Sequence, residues 1–281
     1  MHFESSDPMF SDEDLLAVIR EQDPEVIELW DTQVSDKGVQ YLKLASRLRE
    51  VTLQGQQFTD KAMRSLSSCH SLASICVFCS SQISDKGFLE LSNLNLLALS
   101  VQNAAITGKT LARSINRWDS MWSLSLDETH IDDRYIEDLF RLPKLTLFSA
   151  SMTNLDFHLL ERCGENRLEL LYLDGTRIDS ESVSRIVARF PRLRNLFLAN
   201  TQVSDTSIAE IAKLQALESL RVSGSRISDQ GLMNLIGHQA IQAIEARNCG
   251  ISKVLFDSLK TSCPRLTRLS TARYENSAHD P

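Results

Sequence analysis

One apolar pattern, L-x-x-L-x-L, recurs every 23 to 25 residues along nearly the whole chain. Its copies start at Leu48, Leu72, Leu96, Met121, Leu145, Leu168, Leu193, Leu217, Ile241 and Leu266. A degenerate earlier copy starts at Pro24, so the repeats run from about residue 24 to 272. A fixed period of this length is typical of proteins that stack one small unit many times. Stacked units bury one continuous core, so the 41 leucines of the chain indicate a single domain.

Each repeat predicts one strand and one short helix. The strand is indicated by alternating apolar and polar residues, as from Leu168 to Leu173. A polar turn then leads to Ser or Thr followed by Asp, as at Ser84-Asp85 and Ser228-Asp229. The hydroxyl is typical of a helix N-cap, and the carboxylate favours the positive end of the helix dipole. The polar residue ninth in each repeat, such as Thr201, is expected to bond backbone groups in the turn.

Stacking these units predicts the fold class. About ten strand–helix repeats of 24 residues form a right-handed, curved α/β solenoid, with a parallel sheet on the concave face. The segments at 171–180 and 220–232 read L-x-L-x-G-T-x-I-x-S and L-x-V-x-G-S-x-I-S-D-x-G-L. Two repeat junctions read Cys69-His70-Ser71-Leu72 and Cys263-Pro264-Arg265-Leu266. The chain thereby resembles the leucine-rich repeat family, more narrowly its ribonuclease-inhibitor-like or cysteine-containing branch, and is similar to short repeats common in some bacterial proteins.

The sequences near the two ends of the chain predict where the solenoid begins and ends. Residues 1–23 are expected to be an N-terminal tail with a capping helix over 11–22, because Ser11 is followed by Asp12, Glu13 and Asp14. The solenoid spans 24–272, and 273–281 is predicted to be a disordered tail. The third repeat leaves two registers open. Counting from Leu72 turns Ile75 and Val77 inward, whereas counting back from Ile83 turns Cys76 and Phe78 inward.

Composition narrows the class of partner. A net charge of −7 argues against a general nucleic-acid binder. No apolar run is long enough to span a membrane, and the acidic start lacks a secretory signal. We therefore expect a cytoplasmic protein with reduced thiols, acting as a monomer without nucleic-acid or membrane partners.

Three motifs suggest chemistry, and each has a simpler interpretation. Cys76-x-x-Cys79 lacks the second ligand pair of a zinc site and does not open a helix, so core and turn cysteines are favoured. Thr107-Gly108-Lys109-Thr110 ends like a phosphate loop, but the place of its first glycine is taken by Asn103. The acidic group at 127–133 is favoured as a solvated turn rather than a cation site. We predict no catalytic residue, metal or cofactor.

The solvent face of the predicted sheet carries the candidate binding site. If the fourth and sixth residues of each repeat point inward, the third, fifth and seventh face solvent. The expected partner-binding residues are an apolar patch and the charges that flank it: Leu147, Leu170, Tyr172, Asp174, Phe197, Arg221, Glu245 and Arg247. Exposed aromatic residues ringed by charges are typical of protein-binding hot spots. Packing of the aromatics against neighbouring strands, as stiffening of the sheet, is an equally weighted alternative. Trp30 is expected to pack on the N-terminal helix.

The sequence therefore predicts a non-catalytic scaffold that binds a partner protein through its concave face. One alternative is an adaptor or substrate receptor in a larger complex, including ubiquitin-ligase-like systems. Many members of the resembled branch carry an F-box before the repeats, and the some 23 residues here are too few for that domain. The alternative of another class is an unrecognised hydrolase or metal-dependent enzyme that uses dispersed His, Cys or Asp residues.

Overall fold

The computed structural model describes residues 1–110, 113, 115–160 and 167–271. Contacts divide the chain into two compact units, Met1–Leu145 and Thr146–Pro281. The tail predicted at 273–281 lies outside the described residues, and the predicted division into 1–23, 24–272 and 273–281 stays a prediction. No helix in the described ranges is both long and apolar enough to cross a membrane.

Among the described residues, each unit contains six strands, and consecutive strands within a unit pair in parallel. The first unit contains β1 (His2–Ser5), β2 (Val26–Trp30), β3 (Glu50–Gln54), β4 (Ser74–Phe78), β5 (Ala98–Val101) and β6 (Ser123–Ser125). The second contains β7 (Leu147–Ser149), β8 (Leu170–Tyr172), β9 (Asn195–Phe197), β10 (Ser219–Arg221), β11 (Ala243–Ala246) and β12 (Arg268–Thr271). The sequence predicted β2 to β12 but not β1, which pairs with β2 and supplies an additional strand.

Short helices follow the strands. The α-helices are α1 (Asp12–Gln22), α2 (Asp36–Val39), α3 (Asp60–Leu66), α4 (Asp85–Glu90), α5 (Ile136–Leu139), α6 (Ser180–Arg189), α7 (Asp205–Ile211), α8 (Asp229–Leu232) and α9 (Lys253–Ser262). Short 3-10 helices cover Gln40–Leu44, Leu91–Asn93, Ile115–Arg117, Asp133–Tyr135 and Met233–Leu235. The helix predicted over 11–22 is confirmed as α1, and Ser11 caps it. Predicted N-caps are also confirmed at Ser35, Thr59, Ser84 and Ser228.

The core of each unit contains every second side chain of its strands. In β2, Ile27 and Leu29 are fully buried, whereas the side chains on either side of them are half-buried. In β4, Ile75 and Val77 are the buried residues, so the register counted from Leu72 is confirmed for the third repeat. Cys76 and Phe78 consequently lie on the solvent face of the sheet.

The turn that leaves each strand has one repeated conformation. The residue eighth in the repeat has a positive φ in ten successive repeats, whether or not it is glycine: Asp31, Gly55, Cys79, Asn103, Glu128, Met152, Gly175, Asn200, Gly224 and Asn248. The ninth residue then closes the turn, as predicted. The hydroxyls of Thr129, Thr153, Thr176 and Thr201 each donate to the carbonyl three residues earlier, at 2.6 to 2.7 Å.

Candidate functional site

The solvent face of β8, β9 and β10 in the second unit brings three of the predicted residues into one row. Parallel pairing places Tyr172 beside Phe197 and Phe197 beside Arg221. The residues that precede them in each strand, Leu171, Leu196 and Leu220, are buried beneath the sheet. The apolar anchors of the repeat thus fix which side chains face solvent, and the row follows from the repeat spacing.

Two aromatic contacts hold this row together. The rings of Tyr172 and Phe197 meet edge to face, with centroids 4.7 Å apart and planes at 83°. The guanidinium carbon of Arg221 lies 4.4 Å from the centroid of the Phe197 ring. Edge-to-face pairs and guanidinium–ring contacts each contribute about 0.5–1.5 kcal/mol. Both rings are half-buried, and burial raises the pKa of Tyr172 against the opposing effects of Arg221 and Asn195.

Arg221 is also the electrostatic centre of the row. Its Nε donates to Glu245 at 2.8 Å, and its Nη1 donates to Asp174 at 3.0 Å. Burial lowers the pKa of the guanidinium, but the two carboxylates outweigh it and the net direction is upward. Asp174 is itself anchored, because it accepts a 2.7 Å hydrogen bond from the backbone N–H of Ala199. The cation is therefore fixed from two sides over the Phe197 ring.

The other predicted site residues lie around this centre. Leu147 and Leu170 are paired partners on β7 and β8, and both are half-buried. Arg247 is exposed, and its Nε donates to Ser270 on β12 at 2.8 Å. The structure therefore brings Tyr172, Asp174, Phe197, Arg221 and Glu245 into one cluster, which we call the Arg221 cluster. Leu147 and Leu170 form an apolar pair on β7 and β8, and the Arg247 guanidinium contacts Ser270 on the last strand.

The motifs considered for chemistry have structural uses. Cys76 lies on β4, and Cys79 occupies the positive-φ position of the following turn. In the segment that resembles a phosphate loop, the backbone N–H groups of Thr107 and Gly108 both donate to the carboxylate of Asp85. The carboxylate of Asp85 is thus the anion that these two backbone amides bind.

The predicted acidic turn is likewise engaged within the protein. Asp132 caps a 3-10 helix and forms an ion pair with Arg134 at 2.8 Å. Asp127 accepts hydrogen bonds from Gln102 and Ser125. Asp132 thus marks the helix start that follows this turn.

The solvent face of the first unit contains aromatic residues that sequence reasoning did not connect. Trp30 stacks on Phe78, with centroids 6.0 Å apart and planes at 13°. The expected packing of Trp30 on the N-terminal helix is thus replaced by a stack across the sheet. Because Gln54 pairs with both residues, the two rings reach over an intervening strand. Of the two registers left open for the third repeat, the confirmed one, counted from Leu72, makes Phe78 available for this contact.

Two further features of the first unit were not predicted. Leu97 and Trp122 are 41% and 49% exposed. The backbone N–H of Trp122 donates to the backbone carbonyl of Leu97 at 2.9 Å. His2, Glu4 and Glu28 have side-chain ligand atoms that all lie within 4.8 Å of one another. The unpredicted β1 brings His2 and Glu4 beside Glu28, which explains why the sequence alone did not indicate this group.

Solved leucine-rich repeat structures are similar to this chain. An internalin (inlF) from Listeria monocytogenes has a TM-score of 0.62 and 16% identity, covering 89% of this chain and 80% of that one. An internalin C2 (inlC2) from the same bacterium has a TM-score of 0.52 and 21% identity, covering 74% of this chain and 83% of that one. The chain also matches TLR13 in the TLR13–ssRNA13 complex, with a TM-score of 0.56, 16% identity, 84% of this chain and 38% of that one.

No protein-family model matches the chain, and no curated protein matches it. At the identities found among solved structures, the likeness is one of fold. The predicted α/β leucine-rich repeat fold is thereby confirmed.

Proposed function

We propose that this protein is a non-catalytic scaffold that binds a partner protein through the solvent face of β7 to β11. The Arg221 cluster is the observation that carries the proposal. Aromatic and arginine side chains contribute most to binding affinity when they are held in place before the partner binds, because ordering them on binding costs conformational entropy. Tyr172 and Phe197 are held by each other, and Arg221 is held by two carboxylates.

The apolar pair extends this surface. Leu147 and Leu170 add half-buried aliphatic area beside the aromatic row, and Arg247 adds an exposed charge near its edge. An apolar centre with a polar rim is the usual composition of an interface between proteins. The charge-balanced cluster favours a partner that covers the rings and presents hydrogen-bonding groups to Asp174 and Glu245.

The same contacts also stiffen the sheet, so the test must separate stability from binding. We expect Tyr172→Ala with Phe197→Ala to abolish capture of partner proteins from an extract of the native cell, as measured by quantitative mass spectrometry. The matched control is Met233→Ala with Val254→Ala, which removes exposed apolar side chains outside the strands of the same unit. Thermal unfolding and circular dichroism should show that both variants are folded.

Direct cross-linking completes the test. A photoreactive side chain at Leu170 should cross-link to the same partner that the double variant loses, whereas one at Val254 should not. Unchanged partner capture by folded Tyr172→Ala/Phe197→Ala protein would refute this face as the binding site and leave the rings with a stiffening role.

The finer identity of the repeats and the setting of the protein belong to the same proposal. We assign the repeats to the cysteine-containing branch, which is supported by Cys69 and Cys263, buried at equivalent repeat junctions. We also propose that the protein acts as a cytoplasmic monomer without nucleic-acid or membrane partners. Sedimentation velocity tests the monomer, and a fluorescent fusion in the native cell tests the location.

A further inference from the structure

The solvent face of the first unit differs in charge from that of the second. Among the outward-facing strand residues described in β1 to β6, the charged side chains are the carboxylates of Glu4, Glu28 and Glu50, with His2 beside them and no Lys or Arg. On β8 to β12, the charged outward-facing strand residues are Arg221, Glu245 and Arg268, and Asp174 and Arg247 follow β8 and β11 in the chain. The first face is therefore suited to a cationic ligand and the second is not.

These carboxylates are not neutralised within the described part of the first unit as Asp174 and Glu245 are by Arg221. Glu4 and Glu50 are exposed and make no ion pair there, and the contact of Glu28 is with His2 at 3.6 Å. Arg49, which precedes Glu50, likewise forms no ion pair among the described residues. Burial raises the pKa of the Cys76 thiol, and the negative charges of Glu28 and Glu50 raise it further. Glu28, Thr52 and Cys76 are paired residues of β2, β3 and β4, so the carboxylate and the thiol lie in one row across this face.

An aromatic platform lies on the same face. The nearly parallel rings of Trp30 and Phe78 span β2 to β4 and are half-buried. The indole N–H of Trp30 makes no hydrogen bond among the described residues, so a small reorientation of the ring costs none. Ammonium and guanidinium groups bind over such rings, most strongly over Trp, and nearby carboxylates strengthen the attraction.

We propose that the solvent face of β1 to β4 binds an extended cationic segment of a partner protein, with one Arg or Lys side chain over Trp30 and Phe78 near Glu28 and another basic side chain near Glu50. Charge complementarity and the aromatic platform together select this occupant. A bare metal ion at His2, Glu4 and Glu28 would leave the platform unused. The inference does not depend on the Arg221 cluster, because its residues belong to the other unit.

The test uses fluorescence anisotropy with the full chain and a fluorescein-labelled peptide of alternating arginine and serine, at low ionic strength and with EDTA present. A peptide of alternating aspartate and serine is the charge-reversed control. We expect the basic peptide alone to bind, and we expect salt to weaken the binding steeply. Glu28→Gln with Glu50→Gln should weaken it roughly tenfold, and Trp30→Leu by a similar factor.

The matched control variant is Glu13→Gln with Glu21→Gln, which removes the same charge from exposed positions of α1 in the same unit. This control should bind the basic peptide as the unaltered protein does. Equal weakening by both double variants would overturn the proposal, because it would show only the effect of net charge. No binding at low ionic strength would also overturn it.

Two further outcomes separate this proposal from others. Loss of peptide binding in Phe197→Ala, with Trp30→Leu unaffected, would place the peptide on the second unit and overturn the inference. Binding that requires added zinc and disappears with EDTA would identify a metal site at His2, Glu4 and Glu28 instead. Failure of Tyr172→Ala/Phe197→Ala to affect partner capture would bear only on the Arg221 cluster.

Discussion

The carboxylate of Asp60 accepts two hydrogen bonds from Ser84, one from its backbone N–H at 2.8 Å and one from its hydroxyl at 2.7 Å. Asp60 is the first residue of α3, and Ser84 is the N-cap of α4 in the next repeat. The same two hydrogen bonds, from a backbone N–H and a hydroxyl to one carboxylate, recur in four other pairs: Asp12 with Ser35, Asp36 with Thr59, Asp85 with Thr107 and Asp205 with Ser228. In these five pairs, the Asp that follows one cap thus joins its repeat to the next, in addition to its favourable interaction with the helix dipole.

We predict that Asp60→Ala destabilises the protein by about 1–3 kcal/mol, because it leaves a partly buried N–H and hydroxyl of Ser84 without their acceptor. Asp60→Asn should cost less, since its amide oxygen can still accept from the backbone N–H. The measurement is urea unfolding, and a double-mutant cycle with Ser84→Ala isolates the hydroxyl contribution. The control Asp119→Ala, at an exposed position, should change stability by less than about 0.5 kcal/mol. Equal losses of unfolding free energy in Asp60→Ala and Asp119→Ala would contradict a stabilising role of the Asp60–Ser84 hydrogen bonds.

The turn hydroxyls give a second prediction. The Thr201 hydroxyl donates to the carbonyl of Leu198 at 2.6 Å in a buried turn. Thr201→Val keeps the shape but leaves this carbonyl with one fewer donor, so we expect a loss of about 1–2 kcal/mol in the free energy of unfolding. Thr201→Ser retains the hydroxyl and should lose clearly less. A serine variant as unstable as the valine variant would assign the effect to the methyl group instead.

Much of this fold could be predicted because the same pattern of apolar and capping residues recurs in each repeat. Alternation around Leu171 and Leu196 fixes which side chains are buried, and the recurrence of Ser-Asp marks the helix starts. The third repeat was ambiguous because Ile83 lies eleven residues after Leu72, whereas Val203 lies ten after Leu193. The extra residue lies in the turn after Cys79, whose positive φ matches the eighth position of other repeats. Counting from the strand was therefore reliable, and counting across the turn was not.

The contacts of the candidate site were less predictable. The repeat spacing placed Tyr172, Phe197 and Arg221 in one row, but it did not say that Arg221 would reach Asp174, 47 residues away and two strands distant. The stack of Trp30 on Phe78 also crosses an intervening strand. A long side chain can choose among several neighbours on a sheet, and that choice depends on packing rather than on sequence period. Glycine positions are similar, since Gly87 leaves space that the Asp60 carboxylate of the previous repeat fills.

A third prediction concerns Arg221. Arg221→Met keeps an apolar stem over Phe197 but removes the ion pairs to Asp174 and Glu245, so we expect a loss of about 1 kcal/mol that shrinks at high salt. Arg221→Lys should recover only part of it, because an ammonium cannot present Nε and Nη1 to two carboxylates at once. Urea unfolding at low and high salt is the measurement. Arg226→Met, at an exposed position in the same unit, is the matched control. A full rescue by lysine would show that charge alone matters.

A fourth prediction uses the thiol of Cys69, which is buried at a repeat junction. Burial raises its pKa from the ordinary value of 9.0 to about 11. Between these two values the unfolded chain loses the proton while the folded protein keeps it, so stability falls as pH rises from 9 to 11. We expect Cys69→Ala to flatten this part of the stability profile. At pH 8, iodoacetamide should modify exposed Cys79 well before Cys69 in peptide mass spectrometry. Rapid alkylation of Cys69 in folded protein would contradict its burial.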